Sequence, residues 1–301
     1  MEKVAREIQE LKVEKGALIL AHNYQAEEVQ LIADKLGDSL GLAREAIRTD
    51  SEIIVLCGVD FMAETIKILN PEKKVLIPDQ TATCPLANMV DLKKLNSLID
   101  RYPEAEVVSY VNTTAETKAH SDICCTSANS IEVVRSLSKR KVIFLPDQNL
   151  GRWVSKWVRD KEIILWPGYC YVHQELISLE ELKRLKALHP NAAVIAHPEC
   201  TPAILELADK VTSTTGMVNF VKGGEAEEFI VATEQGLCKR LQRENPNKQI
   251  WEFPGAICKD MKKITIEKVL DCLKREENEV VVRPETLEKA RVPIERMLKI
   301  G

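Results

Sequence analysis

The chain has 301 residues, of which 45% are hydrophobic, and its formal net charge is -4 at pH 7. Acidic and basic residues are interspersed, so the chain lacks the basic stripe of a nucleic-acid-binding protein and we expect no such partner. It contains neither an apolar run long enough to span a bilayer nor an apolar signal segment near Met1. We therefore expect a cytoplasmic protein with no membrane partner.

Nine apolar, β-like runs occur along the chain, in three groups of three. The groups are ALILAHNY, EIIVLCG and VLIPD within residues 17–79; EVVSYVN, KVIFLPD and IILWPG within 106–168; and AAVIAHPE, EFIVATE and IWEFPG within 192–255. Each group therefore predicts three strands in the same order.

Helical segments separate the runs, because apolar residues recur three and four positions apart. The predicted helices are EEVQLIADKLG (27–37), SIEVVRSLSKR (130–140) and PAILELADKV (202–211), with REIQELKVEKG, LNSLIDRYPEA and LKRLKALHPNA preceding the three groups. Alternating helices and continuous apolar strands are typical of parallel sheets that helices cover on both faces.

The three groups align on His22, Tyr110 and His197. A serine, then a proline, then a cysteine follow in each group, and the distance of each from the alignment point is nearly equal in all three. These residues are Ser39, Ser127 and Ser213; Pro78, Pro167 and Pro254; and Cys84, Cys170 and Cys258. Chance alternation of strands and helices does not readily explain such spacing, so we predict a triplicated unit.

The predicted fold is α/β, with three homologous parallel-sheet, Rossmann-like domains around a pseudo-threefold axis and a C-terminal extension. The predicted repeats cover residues 1–85, 86–172 and 173–258. The extension, residues 259–301, is expected to pack on the repeats.

The predicted site lies beyond the carboxyl ends of the strands, where ligands bind in open parallel sheets. Each first strand closes on two polar residues spaced two apart, which places both on one face of an extended segment. The pairs are His22 and Tyr24, Tyr110 and Asn112, and His197 and Glu199. Around a threefold axis, these six side chains would point into one cavity, with the three repeated cysteines at its base.

The nine cysteines include no CxxC pair, so metal ligands would have to come from distant positions. Three repeated thiols are compatible with a zinc site, with an iron–sulfur cluster that has one open iron, or with buried thiols that bind nothing. The six cysteines that do not recur are interpreted as packing residues: Cys57, Cys124, Cys125, Cys200, Cys238 and Cys272.

Long motifs over nearly the whole chain resemble those of the quinolinate synthase family. They are LAHNYQ (20–25), GDSLGLA (37–43), CGVDFMAETIKILNPEKKVLIPDQTATCPLAN (57–88), SYVNTTAETKAHSD (109–122), CTSANS (125–130), FLPDQNLG (144–151), AHPEC (196–200), TSTTGM (212–217), ATEQGL (232–237) and AICKDMKKIT (256–265).

The resemblance implies three α/β domains and one 4Fe-4S cluster held by Cys84, Cys170 and Cys258. It implies condensation of iminoaspartate with dihydroxyacetone phosphate to quinolinate, with release of phosphate and two waters, in de novo NAD biosynthesis. The iron that no cysteine binds would act as a Lewis acid. Because iminoaspartate is unstable, the resemblance also implies functional coupling to an enzyme that produces it. The stretch PGAIC lacks the CxxCxxC run of some members, so redox control by a disulfide there is not expected.

The resemblance also implies roles for individual residues. The catalytic set is His22, Tyr24, Tyr110 and Glu199; the first two and Glu199 would be acid–base groups, and Tyr110 with Asn112 would orient the growing diacid. Anion-binding groups would be Ser39, Ser127, Ser213, Thr214, His173 and His197. Alternatively, the serines are helix caps, the histidines lie in the core, and Glu199 forms a salt bridge.

Two other functions are compatible with the same cysteines. One is a non-catalytic iron–sulfur protein that carries electrons or senses a signal, which would need four protein ligands and no polar cavity. The other is a zinc-dependent lyase. The six polar groups at the strand ends favour an enzyme over the electron carrier.

Overall fold

The computed structural model describes residues 2–300, so residues 1 and 301, at the outer limits of two predicted ranges, lie outside it. The first third of the chain forms α1 (Glu2–Glu14), β1 (Ala17–His22), α2 (Glu27–Ile32), β2 (Lys35–Gly37), α3 (Ser39–Arg48), β3 (Ile53–Cys57), α4 (Asp60–Leu69) and β4 (Lys74–Leu76). After a 3-10 turn at Ala87–Met89, the second third forms α5 (Leu92–Arg101), β5 (Ala105–Tyr110), α6 (Ala115–Lys118), β6 (Ile123–Cys125), α7 (Ser130–Arg135), β7 (Lys141–Leu145), α8 (Gln148–Trp157) and β8 (Glu162–Leu165).

The remainder of the chain repeats the pattern and then adds two helices. Its elements are α9 (Tyr171–Glu175), α10 (Leu179–Leu188), β9 (Ala193–Ala196), α11 (Pro202–Leu205), β10 (Lys210–Val211), α12 (Thr214–Gly223), β11 (Glu228–Ala232), α13 (Gln235–Glu244), β12 (Gln249–Glu252), a 3-10 turn at Met261–Lys263, α14 (Ile266–Arg275) and α15 (Pro284–Leu298). Within residues 2–300, no helix is both long enough and apolar enough to cross a bilayer.

The strands form three four-stranded sheets, and every pairing within them is parallel. The strand orders are β2-β1-β3-β4, β6-β5-β7-β8 and β10-β9-β11-β12. The predicted α/β fold with three parallel-sheet units is therefore confirmed. In each sheet the order reverses beside the first strand of the unit, and such a switch point leaves a crevice at the carboxyl ends of the strands.

Each sheet has one edge strand that the periodicity of the sequence did not predict. The predicted helices 27–37 and 202–211 end at Ile32 and Leu205, and each is followed by a strand of two or three residues. The predicted helix 130–140 likewise ends at Arg135. Strands this short do not complete an alternating pattern, so periodicity alone cannot separate them from the preceding helix.

A repeated aspartate fixes the start of each edge strand. It lies at the same distance after the alignment point in every unit. Its carboxylate accepts the backbone N–H of one residue in the first strand of the unit. Its own backbone N–H donates to the carbonyl of that same residue. The pairs are Asp34 with Ile19 (2.8 Å), Asp122 with Val107 (2.7 Å) and Asp209 with Val194 (2.8 Å). Equal spacing and equal bonding in all three sheets support the triplication.

The C-terminal segment packs against the first two units. Helix α14 lies on α1, and α15 lies on α6 and β6. Between them, the N–H of Val280 donates to the carbonyl of Val75 (2.8 Å), and the N–H of Ile77 donates to the carbonyl of Asn278 (3.2 Å). The segment thereby covers the exposed edge of β4, where unpaired backbone groups would otherwise remain.

We expect Asp34→Ala, Asp122→Ala and Asp209→Ala each to lower the free energy of unfolding by about 1–3 kcal/mol, because each leaves a buried strand N–H without its acceptor. Urea titration of the purified variants measures this change. The exposed Asp160 provides a control, and Asp160→Ala should lie within about 0.5 kcal/mol of wild type. Equal midpoints for Asp209→Ala and the control would contradict the structural role of the repeated aspartate.

Candidate active site

All three repeated units contribute to one cavity with an empty volume of about 680 Å³. Every residue of the predicted site except Ser213 lines it. The lining residues from that set are His22, Tyr24, Ser39, Cys84, Tyr110, Asn112, Ser127, Cys170, His173, His197, Glu199, Thr214 and Cys258. Sequence motifs from opposite ends of the chain therefore meet at the carboxyl ends of the strands.

The strand-end pairs reach the cavity by a different geometry from the one predicted. Strands β1, β5 and β9 stop before the second residue of each pair, and Tyr24 and Glu199 lie in turns. The Nδ1 atom of His22 accepts the N–H of Tyr24 (3.1 Å), and Nδ1 of His197 lies 3.4 Å from the backbone nitrogen of Glu199. The prediction that each pair shares one face of an extended strand was wrong, because a tight turn directs the second side chain into the cavity.

The carboxylate of Glu199 lies at the centre of the polar groups. Its Oε2 atom is 2.9 Å from Nδ1 of His173 and 3.3 Å from Nδ1 of His197, and all three side chains are buried. The two imidazole rings stack with their centroids 4.8 Å apart. Among the residues described, Oε1 of Glu199 has no hydrogen-bond partner, which leaves a buried acceptor beside the cavity.

Two arms of hydrogen bonds extend from this carboxylate to residues of the other units. On one side, Nε2 of His197 is 3.2 Å from Oγ of Ser127, which also bonds the hydroxyl of Tyr110. On the other side, Nε2 of His173 is 3.0 Å from Oγ1 of Thr233, which is 2.7 Å from the hydroxyl of Tyr24. The network thus links tyrosines from two different units through a single carboxylate.

Sequence reasoning missed Thr233 and Asp38. Thr233 carries no repeat signal, because the corresponding positions in the other units hold Gly58 and Pro146. Asp38 lines the cavity and caps α3 by accepting the N–H of Gly41 (2.8 Å). Aspartate is a preferred N-cap residue, and its place beside Ser39 in the GDSLGLA motif is a sequence signal that could have identified it.

The environment sets the charge of the acid–base groups. Burial lowers the pKa of His22 to about 4 and also lowers the pKa of His197, so both rings favour the neutral form. Burial alone would raise the pKa of Glu199, but His173 and His197 outweigh it and hold that pKa below its usual range. Burial raises the pKa of the Tyr24 phenol, with a further contribution from Glu199. At neutral pH the ionised carboxylate of Glu199 therefore lies in the same cavity as neutral His22, neutral His197 and the protonated phenol of Tyr24.

The hydroxyl groups at helix N-termini divide into two kinds. Ser213 is the N-cap of α12, accepts the N–H of Gly216 (3.2 Å) and does not line the cavity. Ser39 is the first residue of α3 and leaves the capping to Asp38, so its cap interpretation was wrong. Thr214 lines the cavity, and its Oγ1 atom accepts from Nδ2 of Asn23 (2.8 Å).

Three thiols, those of Cys84, Cys170 and Cys258, reach the cavity from loops that follow β4, β8 and β12. Burial raises the pKa of each thiol, and neighbouring thiols raise the pKa values of Cys84 and Cys170 further. Metal binding at these positions would therefore displace protons. Within residues 2–300, the one set of three donor atoms that all lie within 4.8 Å of one another comprises Cys170, His173 and Glu199. The three sulfurs share a cavity without converging on one point.

The other six cysteines are all buried, and none of them lines the cavity: Cys57, Cys124, Cys125, Cys200, Cys238 and Cys272. Apolar side chains also line the cavity. They are Val59, Phe61, Met62, Val111, Val172 and Met261.

Comparison with known proteins identifies close relatives over the full chain. The family described as quinolinate synthetase A protein matches residues 6–299. A quinolinate synthase of Thermodesulfovibrio yellowstonii is 50% identical over 99% of this chain and 98% of its own length. Quinolinate synthases of Aquifex aeolicus and Pyrococcus furiosus are each 48% identical over 100% of this chain and over 95% and 99% of their own lengths. The resemblance inferred from the motifs is confirmed, and the chain belongs to the quinolinate synthetase A protein family of enzymes.

Proposed function

We propose that the protein condenses iminoaspartate with dihydroxyacetone phosphate to form quinolinate, with release of phosphate and two waters, as a step of NAD biosynthesis. Its relatives carry the name quinolinate synthase. The observation that supports the proposal most directly is the shared cavity, in which three thiols and a buried carboxylate–histidine network meet. Because iminoaspartate is unstable, the reaction also requires an enzyme nearby that supplies it.

The proposed cofactor is one 4Fe-4S cluster, with Cys84, Cys170 and Cys258 as its ligands. The donor set fits such a group, because three protonated thiols on one cavity become thiolates when a metal binds. A zinc ion at a Zn–S distance of about 2.3 Å would bring its sulfurs within about 4 Å of one another, and these three do not converge to that degree. When bound, a cluster with three protein ligands supplies an open iron that polarises substrate oxygens.

The same cavity argues against an electron carrier. Of the cysteines described, three rather than four line it, and an electron-transfer cluster normally has four cysteine ligands. An electron carrier also has no need for a buried carboxylate with an unpaired oxygen, which is costly to desolvate. Both features are expected when a substrate completes the site.

Glu199 is the proposed proton acceptor for carbon atoms next to the imine or carbonyl. It is ionised at neutral pH, and its free Oε1 atom faces no competing donor among residues 2–300. A carboxylate with a lowered pKa is a weak base, but its Oε2 atom contacts ring nitrogens of His173 and His197. These contacts hold the carboxylate in place through Oε2, so a proton taken from substrate would go to the unpaired Oε1.

The phenols of Tyr24 and Tyr110 are proposed as donors to substrate oxygens, because burial keeps both protonated. Tyr110, with Asn112, would orient the growing diacid. Neutral His22 accepts the N–H of Tyr24 at Nδ1, which leaves Nε2–H as its donor, and we propose that it acts with Tyr24 as an acid–base group.

The proposed anion-binding groups are hydroxyl and imidazole donors. Those that line the cavity are Ser39, Ser127, Thr214, His173 and His197. Ser39 and Thr214 each stand at the first residue of a helix of ten residues, where backbone N–H groups favour phosphate and carboxylate. Ser213 would act indirectly, by capping the helix that begins with Thr214.

The function is tested by anaerobic incubation of the purified, reconstituted protein with both substrates, followed by detection of quinolinate. We expect product from wild type and at most trace product from Cys84→Ala, Cys170→Ala and Cys258→Ala, because each variant loses a cluster ligand. Iron and sulfide per chain should fall in parallel. Cys272→Ala, at a buried cysteine outside the cavity, provides the control and should retain both iron and activity. An active Cys84→Ala enzyme with full iron content would remove this cysteine from the ligand set.

Glu199→Gln tests the proton acceptor. The amide keeps the size of the side chain but cannot take a proton, so turnover should fall at least about a hundredfold, which is within the usual contribution of a general base. Iron content and binding of a product-like dicarboxylate should persist. Glu162→Gln, at an exposed strand end, provides the control. Turnover of Glu199→Gln within about threefold of the control would exclude Glu199 from proton transfer.

The lowered pKa of His22 predicts how stability depends on pH. The unfolded chain binds a proton at His22 near pH 6.5, whereas the folded protein does so only near pH 4. The contribution of neutral His22 to the free energy of unfolding is therefore fully present above pH 6.5 and is lost as the pH decreases towards 4. Between pH 7 and pH 5 the loss amounts to about 2 kcal/mol at about 1.4 kcal/mol per pKa unit.

Urea unfolding of the metal-free protein at pH 7 and pH 5 measures this loss. His22→Gln should lose about 2 kcal/mol less than wild type over that interval, since glutamine does not titrate. His120→Gln, at an exposed histidine, should follow wild type. Parallel losses in His22→Gln and wild type would show that His22 does not resist protonation in the folded state.

A further inference from the structure

The three cysteine loops are the loops that carry Cys84, Cys170 and Cys258. Each is bound by an acidic residue of its own unit, which lies shortly after β3, β7 or β11. The spacing between this acid and its cysteine is nearly the same in every unit. The three pairs are Asp60 with Cys84, Asp147 with Cys170, and Glu234 with Cys258. In the second and third pairs the carboxylate accepts the backbone N–H of the cysteine, not its thiol.

The bonding is closely similar in the second and third units. Oδ2 of Asp147 accepts the N–H of Cys170 (3.2 Å), and Oδ1 accepts the N–H of Leu150 in α8 (2.8 Å). Oε1 of Glu234 accepts the N–H of Cys258 (3.1 Å), and Oε2 accepts the N–H of Gly236 in α13 (2.6 Å). Each carboxylate therefore joins a helix N-terminus to a cysteine loop through separate oxygens.

The first unit has its acidic residue at a neighbouring position. Asp60 lies one residue further from the alignment point than Asp147 or Glu234, and its carboxylate accepts the N–H of Phe61 (2.8 Å). The backbone of Cys84 opposes the effect of burial by lowering the pKa of Asp60, so this shifted carboxylate still acts on the cysteine loop of its own unit.

A second bond holds each loop in the same place. A backbone N–H at the start of the helix donates to the carbonyl of the residue two before the cysteine. The bonds are Asp60 to Ala82 (2.9 Å), Gln148 to Gly168 (2.8 Å) and Gln235 to Ala256 (2.9 Å). In the second and third units, two contacts two residues apart fix both the position and the direction of the loop, so the thiol of its cysteine has a defined orientation.

Amides could not replace the buried carboxylates without loss. Asp147 and Glu234 are fully buried, and both oxygens of each side chain accept N–H groups. Lys262 adds a salt bridge of 2.8 Å to Glu234. An amide would present an NH₂ group to one of the backbone donors, so one N–H would be left without an acceptor.

We propose that Asp60, Asp147 and Glu234 are positioning residues that hold the three cysteine loops so that their thiols face the cavity before a cofactor binds. This inference rests on the proposed function, because the cysteines are taken as cluster ligands. Groups that orient metal ligands typically change metal affinity by about 10–100-fold when they are removed. The carboxylates would not touch substrate or iron.

The test compares Asp147→Asn and Glu234→Gln with matched controls in the same units. Asp122→Asn and Asp209→Asn also alter an aspartate that accepts a backbone N–H, but that bond lies at the first strand and not at a cysteine loop. We expect the two test variants to lose iron to a chelator at least about tenfold faster than the controls. The electron paramagnetic resonance spectrum of the reduced cluster should also change in the test variants alone.

A second readout does not depend on the cluster. In metal-free protein, iodoacetamide labelling followed by mass spectrometry should be at least about tenfold faster at Cys170 in Asp147→Asn and at Cys258 in Glu234→Gln. Labelling of the cysteines in the other two loops should stay at the control rate, which separates local release from general unfolding. The half-buried Asp60 provides a milder variant, Asp60→Asn, with Cys84 as the reporter.

The outcomes separate the two proposals. Iron loss and labelling within about twofold of the controls would overturn the positioning role. Wild-type protein that holds no iron and sulfide after anaerobic reconstitution would overturn the proposed cofactor, while selective labelling of the released loop would still support positioning of the thiols.

Discussion

A buried, ionised carboxylate needs compensating partners, and the arrangement of the cavity follows from how Glu199 obtains them. Nδ1 atoms of His173 and His197 bond its Oε2 atom. The Nε2 atom of each ring contacts a hydroxyl group, that of Thr233 or Ser127, and this hydroxyl group in turn bonds a tyrosine of another unit. The loss of any partner would leave a charge without water or a counter-charge, which is costly in a buried site. The same interaction therefore keeps the three units in register and prepares the site for a ligand that can donate to the free oxygen.

Carboxylates have a second role in this fold. They accept hydrogen bonds from backbone N–H groups that have no partner in the regular hydrogen bonding of a helix or sheet. One set, represented by Asp209, holds the start of an edge strand, and the other, represented by Glu234, holds a cysteine loop. Loops carry polar backbone groups that must be satisfied when they are buried. Acids near the strand ends meet this need, and under the proposal of a bound cluster they would also give the loops the rigidity that its ligands require.

The cavity brings two kinds of chemistry into contact. Sγ of Cys170 is 3.3 Å from Nδ1 of His173 in the carboxylate–histidine network, and apolar side chains such as Phe61 and Met62 line the same cavity. An apolar wall weakens solvent screening, so the charge of Glu199 acts strongly on nearby phenols and thiols. The proposed condensation and loss of water would need both an electrophilic centre and a base, and the cavity holds groups that could supply both.

The sequence by itself determined the triplication, the parallel α/β class and many of the residues that line the cavity, because strand ends, serines and cysteines recur at nearly equal spacing. The boundaries at residues 85, 172 and 258 and the roles of the individual residues stay predictions. Only the tertiary structure revealed the edge strands, the turn that directs Tyr24 and Glu199, and the link through Thr233, which has no counterpart in the other units. Periodicity reports which face of a helix or strand is buried, whereas a turn or a hydrogen bond between distant segments depends on how the units pack.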